Sequence, residues 1–247
     1  MKTKNRIWLC PFLVLGLTII HINSCKKADE SHIVATDNDG NTYKSVTIGT
    51  QVWMAENLKT TKYKDGTAIQ RFDIDKYYGS NPSYCWYNGD SINNNIYGAL
   101  YSWGAVETGE LCPTGWHIPS DVEWLELINY LGRDSLAGGK LKETGTIHWS
   151  IPNTDTDNSS GFTALPAGYH TGCYTIIWYM GTKVMFREER GVFMNIGVIG
   201  VWWSSTNTVT ENVTVRGFIT LSSTGELTNG KTNSPSLYSV RCVKDIN

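Results

Sequence analysis

The stretch Cys112-Pro-Thr-Gly-Trp-His-Ile-Pro-Ser-Asp-Val-Glu-Trp124 joins a turn-rich region to the clearest helix of the chain. Ser120 and Glu123 form an S-x-x-E capping box, which satisfies backbone N–H groups that a helix start leaves open. Trp124, Leu127, Ile128 and Leu131 recur at helical spacing, and Gly132 supplies the stop. The spacing predicts a helix from Ser120 to Leu131 with that face buried. A cysteine stands at the junction. A counterpart waits near the C-terminus, in Tyr238-Ser-Val-Arg-Cys-Val243. Two such cysteines can clamp a helix start to a final strand and close one domain.

Upstream, Tyr43 to Thr61 alternates as a β-hairpin does. Val46 and Ile48 share a face, Gly49-Thr-Gln turns the chain, and Val52 and Met54 share a face. Before it, Asp37, Asp39 and Asn41 imitate a calcium loop. The glycine needed at the sixth position is at the fourth, and no Glu stands at the twelfth, so Asx turns explain the cluster better. Residues 62–96 read as polar and irregular. Tyr97 to Val106 reads as a short helix, interrupted by glycines.

Downstream, a second, shorter helix is expected from Ser135 to Glu143. Beyond Thr144 the helix signals cease. Phe162 to Pro166, Val198 to Thr206, Val213 to Ser222 and Leu237 to Val243 read as strands. The order is hairpin, two helices, then strands, which is α+β segregation.

The N-terminus reads as an export signal. Lys2, Lys4 and Arg6 precede an apolar run from Ile7 to Ile22, which is short for a membrane span of about 20 residues. The run ends in Ile22-Asn-Ser-Cys25, which resembles a bacterial lipoprotein signal. That resemblance implies cleavage before Cys25 and a diacylglyceryl thioether on its sulfur, and firm anchoring takes more than one chain. Lys26-Lys-Ala-Asp-Glu30 resembles the short charged export signals of Bacteroidota surface lipoproteins. The expected division is a signal peptide (1–24), a lipidated cysteine and tether (25–35), and one domain (36–247).

Removing residues 1–24 takes away three positive charges and no negative one, moving the formal charge from −2 to −5. That balance argues against nucleic acid, whose binding rests on Lys and Arg contacts to phosphate. With Cys10 lost and Cys25 lipidated, Cys85, Cys112, Cys173 and Cys242 remain. Export makes disulfides expected, and four cysteines allow three pairings.

The sequence carries no recognisable catalytic or cofactor motif. There is no G-x-S-x-G elbow. Gly138-Gly-Lys140 is not a phosphate loop, because Asp134 replaces the first glycine and Leu141 the Ser/Thr. His117, His148 and His170 are spread out, with no zinc spacing, and His117 reads as a structural histidine. No cofactor, no metal and no enzymatic activity are expected.

Several ordered segments resemble a known family. They are Ile48-Gly-Thr-Gln-Val-Trp-Met-Ala-Glu-Asn-Leu58, Tyr84-Cys-Trp-Tyr87, Tyr97-Gly-Ala-Leu-Tyr-Ser-Trp-Gly-Ala-Val106 and Leu111-Cys-Pro-Thr-Gly-Trp-His-Ile-Pro-Ser120. Ala137-Gly-Gly-Lys-Leu-Lys-Glu-Thr-Gly145, Gly161-Phe-Thr-Ala-Leu-Pro-Ala-Gly168, Trp202-Trp-Ser-Ser-Thr206 and Ser239-Val-Arg-Cys242 follow. Together they resemble the Fibrobacter succinogenes major paralogous domain over roughly residues 36–245.

That family is similar to C-type-lectin-like folds: a terminal hairpin, two helices and a loop-rich antiparallel β region. The resemblance implies a Cys112–Cys242 disulfide, and the chain-entropy account makes such a long loop worth up to about 4–5 kcal/mol. Residues 171–195 depart from the family pattern, and whether Cys173 pairs with Cys85 stays open. The calcium-ligand tripeptides of sugar-binding C-type lectins are absent, so the resemblance does not imply their lectin activity.

A binding role is therefore expected: an exported outer-membrane lipoprotein, exposed at the surface and held by its lipid, with a glycan or an envelope protein as ligand. The alternatives are an assembly component of a surface complex, or a divergent enzyme of the lectin fold. Aromatic residues beside the loop-rich half are the binding candidates, because exposed rings stack on sugars or anchor partners. They are Trp149, Tyr169, His170, Trp178 and Trp202, with burial in the core as the competing reading.

Overall fold

The computed structural model describes residues 34–73, 81–171, 174–179, 182–187, 191–210, 213–233 and 235–246. The leader, Cys25 and Cys173 lie outside them. In chain order the first strands are β1 (Ala35–Thr36), β2 (Thr42–Tyr43), β3 (Ser45–Ile48), β4 (Gln51–Met54), β5 (Gln70–Arg71) and β6 (Ser83–Cys85). Helix α1 (Ser91–Tyr97), β7 (Leu100–Ser102), α2 (Trp103–Val106), β8 (Trp116–His117), α3 (Asp121–Leu131) and α4 (Asp134–Leu141) follow. Then come β9 (Tyr169–His170), β10 (Tyr174–Tyr179), β11 (Thr182–Arg187), β12 (Phe193–Met194), β13 (Ile199–Thr210), β14 (Val213–Ser222), β15 (Leu227–Thr232), β16 (Leu237–Ser239) and β17 (Val243–Lys244). The class is mixed α+β, and strands dominate.

Two sheets carry the architecture. The larger runs β15-β14-β13-β16-β7-β6-β5, with β9 and β12 attached at β16. The smaller runs β3-β4-β17-β8, so the end of the chain returns to the first hairpin. Val243 faces Trp53 on one side and His117 on the other. The last expected strand, Leu237 to Val243, is thus two strands. Between them Val240 accepts from Leu58 N–H and Cys242 accepts from Met54 N–H as the chain crosses from one sheet to the other.

Successive side chains on a strand point to opposite faces, and this chain uses both. Trp53 and Trp202 enter one core with Trp124, Leu127, Trp149 and Phe162. Their neighbours Met54 and Trp203 enter the other, with Tyr43, Tyr101, Val240 and Cys242. Each fully buried large apolar side chain contributes about 1.5–3 kcal/mol. Helix α3 forms as its sequence dictates. Ser120 Oγ accepts from Glu123 N–H, the Glu123 carboxylate accepts from Ser120 N–H at 2.8 Å, and Gly132 takes the left-handed conformation. Trp124, Leu127, Ile128 and Leu131 are buried.

Three expected elements differ. The segment 97–106 is not one helix, because Gly98 ends α1 at φ 80° and sits so close to residues 57–58 that a Cβ would stand 2.8 Å from the Leu58 carbonyl. The chain extends into β7 and only then turns into α2, capped by Ser102. The stretch 62–96, read as irregular, holds β5, β6 and α1, the last capped by the Asp90 carboxylate. Phe162 to Pro166 makes no strand: Thr163 has φ 54°, and its N–H is taken by the Asn158 side chain.

Candidate functional site

The family-like segments converge on a buried polar node. Arg241 is fully buried. Its Nε and Nη2 donate to Asn57 Oδ1 at 3.1 and 2.7 Å, and Nη1 donates to the Phe162 carbonyl. The guanidinium lies 4.0 Å from the Phe162 ring centroid. Trp202 Nε1 donates to the same Asn57 oxygen at 2.8 Å, and Asn57 Nδ2 donates to the Tyr97 carbonyl. Burial pulls the Arg241 pKa down to about 9. One asparagine thereby joins segments around residues 57, 97, 202 and 241, and Arg241 adds the segment at 162. A second buried cation, Lys142, donates to the carbonyls of Ser223 (2.8 Å) and Thr154 (3.3 Å), and burial lowers its pKa to about 8. Both groups are buried and held by backbone and amide oxygens, as structural cations are.

Cys112 and Cys242 are bonded, with Cα atoms 6.0 Å apart and a sequence separation of 130. Cys85 is a buried free thiol, and burial pushes its pKa up, so no thiolate forms there. His117 bridges Glu123 and Asp245 at 2.7 Å each, which ties the start of α3 to the C-terminal segment. The Asp37 carboxylate is filled by its own turn: Asp39 N–H, Asn41 N–H, Asn41 Nδ2 and the Tyr43 hydroxyl all donate to it. Among the described residues no group of three or more His, Cys, Asp or Glu is placed to hold a metal.

The aromatic candidates do not gather at a surface. Trp149 and Trp202 are 1% exposed and belong to the core, with Trp149 Nε1 donating to the Ala164 carbonyl. His170 is also buried. Their large apolar area wins over any exposed role. Tyr169 is half-buried against Tyr238, with ring centroids 5.9 Å apart. Trp178 belongs to β10, opposite Lys183 of β11, and its side chain lies outside the described set.

His170 nevertheless marks a place. Its ring meets Phe72 at 4.9 Å and Phe193 at 4.8 Å, both edge-on. Those two phenylalanines line a cavity of about 690 Å³, with Arg71, Asp73, Cys85, Asn88 and Gly89. Ligand clefts typically measure roughly 300–1,000 Å³. The cavity is built where β5 and β6 end beside the 3-10 turn Tyr87–Gly89, in which Asn88 is left-handed at φ 53°. Tyr87 packs on Phe193 at 5.1 Å. Arg71 lies 4.6 Å from the Trp86 ring centroid and donates through Nη2 to the Gly89 carbonyl at 3.0 Å. Sequence reading missed Arg71, Phe72, Asn88 and Phe193. The available signal was Tyr84-Cys-Trp-Tyr87 next to the Asn-Gly turn, which places aromatic rings beside a left-handed corner.

Among the described residues no helix is long and apolar enough to cross a membrane. Comparison with curated proteins and with solved structures finds no match. A family model described as the Fibrobacter succinogenes major domain matches residues 46–244, most of the chain and all of the node. The segments that meet at Asn57 and Arg241 are those of that family, and the chain belongs to it.

Proposed function

We propose that this protein is a lipid-anchored component of the cell envelope whose domain binds a glycan without catalysis. The observation that carries the binding reading is the cavity at Arg71, Phe72, Asn88 and Phe193, which pairs apolar rings with a cation and an amide. Saccharides present a C–H face and a polar edge, and such walls suit both. Burial pushes the Cys85 thiol pKa up, which disfavours a nucleophilic thiolate at the wall. We read the fold as C-type-lectin-like. What supports this is the return of β17 to the first hairpin, the pair α3 and α4 between that hairpin and the later strands, and the disulfide from Cys112, ahead of α3, to Cys242 beside the last strand.

The anchor and outer-membrane location rest on Lys2, Lys4 and Arg6, the apolar run and Cys25. Cys25→Ala is expected to release the protein from membranes and abolish a lipid mass shift. Unchanged membrane association, with no lipid on the parent, would end that part. Glycan-array screening of the purified full-length protein tests the binding part, and a specific saccharide hit is expected. No glycan binding, with reproducible co-purification of one envelope protein, would favour the assembly reading. One observation leans that way: Val122, Leu125 and Tyr130 on α3 and Leu136 on α4 are more than half exposed.

A further inference from the structure

Resting on the glycan-binding reading above, we infer that the cavity takes an acidic saccharide, and that Arg71 binds its carboxylate. Arg71 stands at the end of β5, the edge strand of the large sheet. Its guanidinium is fixed by the Trp86 ring and by the Gly89 carbonyl. A long side chain held at two points loses little further freedom when a ligand arrives. One of its five N–H groups serves Gly89, and among the described residues no carboxylate pairs with it. In a chain of formal net charge −2, this is a pre-positioned cation on the wall of an open cavity.

The geometry selects the anion. A planar guanidinium fork matches a planar carboxylate through two parallel hydrogen bonds. Doubly charged phosphoryl groups need more positive charge than one fork. Among the described lining residues Arg71 is the sole cation. A singly charged acid therefore fits best. Phe72 and Phe193, backed by His170 and Tyr87, offer rigid apolar faces for the C–H side of a sugar ring. Asn88 presents an amide, which both donates to and accepts from hydroxyls. The arrangement suits a hexuronic acid residue, with its carboxylate at Arg71 and its ring against the phenylalanines.

The test is calorimetric titration of the full-length protein with oligosaccharides of glucuronic or galacturonic acid, and with the same oligosaccharides after carboxyl reduction. The acidic forms are expected to bind about tenfold tighter or more, with affinity falling as salt rises. Arg71→Gln should remove that preference, so that acidic and reduced forms bind alike. Arg71→Lys, which keeps the charge without the fork, should restore only part of it. Unfolding midpoints of both variants report whether the domain is intact. Equal binding of acidic and reduced sugars would overturn the carboxylate inference and leave the glycan reading standing. A stronger, Arg71-dependent preference for sulfated sugars would overturn the choice of anion. Binding of no saccharide in either form would overturn both.

Discussion

Arg241 and Arg71 are both guanidinium groups held against aromatic rings, one over Phe162 and one over Trp86. Their surroundings separate them. Arg241 is fully buried, and its nitrogens are matched to Asn57 and to the Phe162 carbonyl. Arg71 is exposed, gives one hydrogen bond to Gly89, and lines an open cavity. The first lies in a family segment and holds distant parts of the chain together. The second lies outside such segments. In this protein the family segments meeting at the node make the fold, and the cavity wall draws Arg71, Phe72, Asn88 and Phe193 from outside those segments.

The largest effects should fall on the buried side. Asn57→Ala strips the acceptor from both Arg241 and Trp202 and leaves a buried cation short of partners. Urea unfolding should show a loss of about 3–5 kcal/mol. A loss near that of an average surface change would break the contrast. Removing the disulfide with paired Cys112→Ser and Cys242→Ser changes should cost about 2–4 kcal/mol. Thermal melts of the parent with and without reductant should show the same direction. Ser120→Ala deletes the cap of α3 and should cost about 1 kcal/mol, seen as a lower urea midpoint at unchanged slope.

His117 gives a smaller, pH-dependent effect. Burial pulls its pKa down, but the hydrogen bonds to Asp245 and Glu123 outweigh this and hold it above the ordinary 6.5. A raised pKa stabilises the fold fully below the unfolded value and loses that contribution as pH climbs through the folded one. Burial works to raise Glu123, and its hydrogen bonds from Ser120 and His117 win, so it sits below 4.5. Its share is present above 4.5 and fades as pH falls through the lowered value. His117 is 39% exposed, so solvent screening keeps its term below about 1 kcal/mol. His117→Gln should flatten the decline in melting temperature from pH 6 upward. An unchanged slope would remove His117 from the clamp. The smallest effect belongs to Arg71→Gln, whose unfolding midpoint should stay within about 0.5 kcal/mol of the parent. A loss comparable to that of Asn57→Ala would make Arg71 a second structural node and erase the comparison.

Helix α3 and the first hairpin were legible because local chemistry and tertiary structure agree there. The capping box, the apolar period and Gly132 all specify one helix, and alternation with a glycine turn specifies β3 and β4. Helix α1 was not legible: Asn93, Asn94 and Asn95 give it neither propensity nor an apolar stripe, and none of its residues is buried. The split of residues 237–243 was hidden because Arg241 looks like a surface residue until Asn57 is beside it. Trp149 and Trp202 show the same limit, since a tryptophan's exposure depends on what the rest of the chain brings to it. The cavity was least legible, because Arg71 of β5, Asn88 of the 3-10 turn and Phe193 of β12 belong to three separate elements that only the fold brings together.

The position of β16 and β17 has a consequence for the order of events in the cell. Both are interior strands: β16 lies between β13 and β7, and β17 between β4 and β8. Both follow in the chain every strand they pair with. Until residues 237–244 emerge, the larger sheet lacks the strand that joins its two halves, and the smaller has a gap between hairpin and β8. The strands made earlier stay unjoined at those positions until this segment arrives, so both sheets close on the part of the chain that follows all the strands it joins.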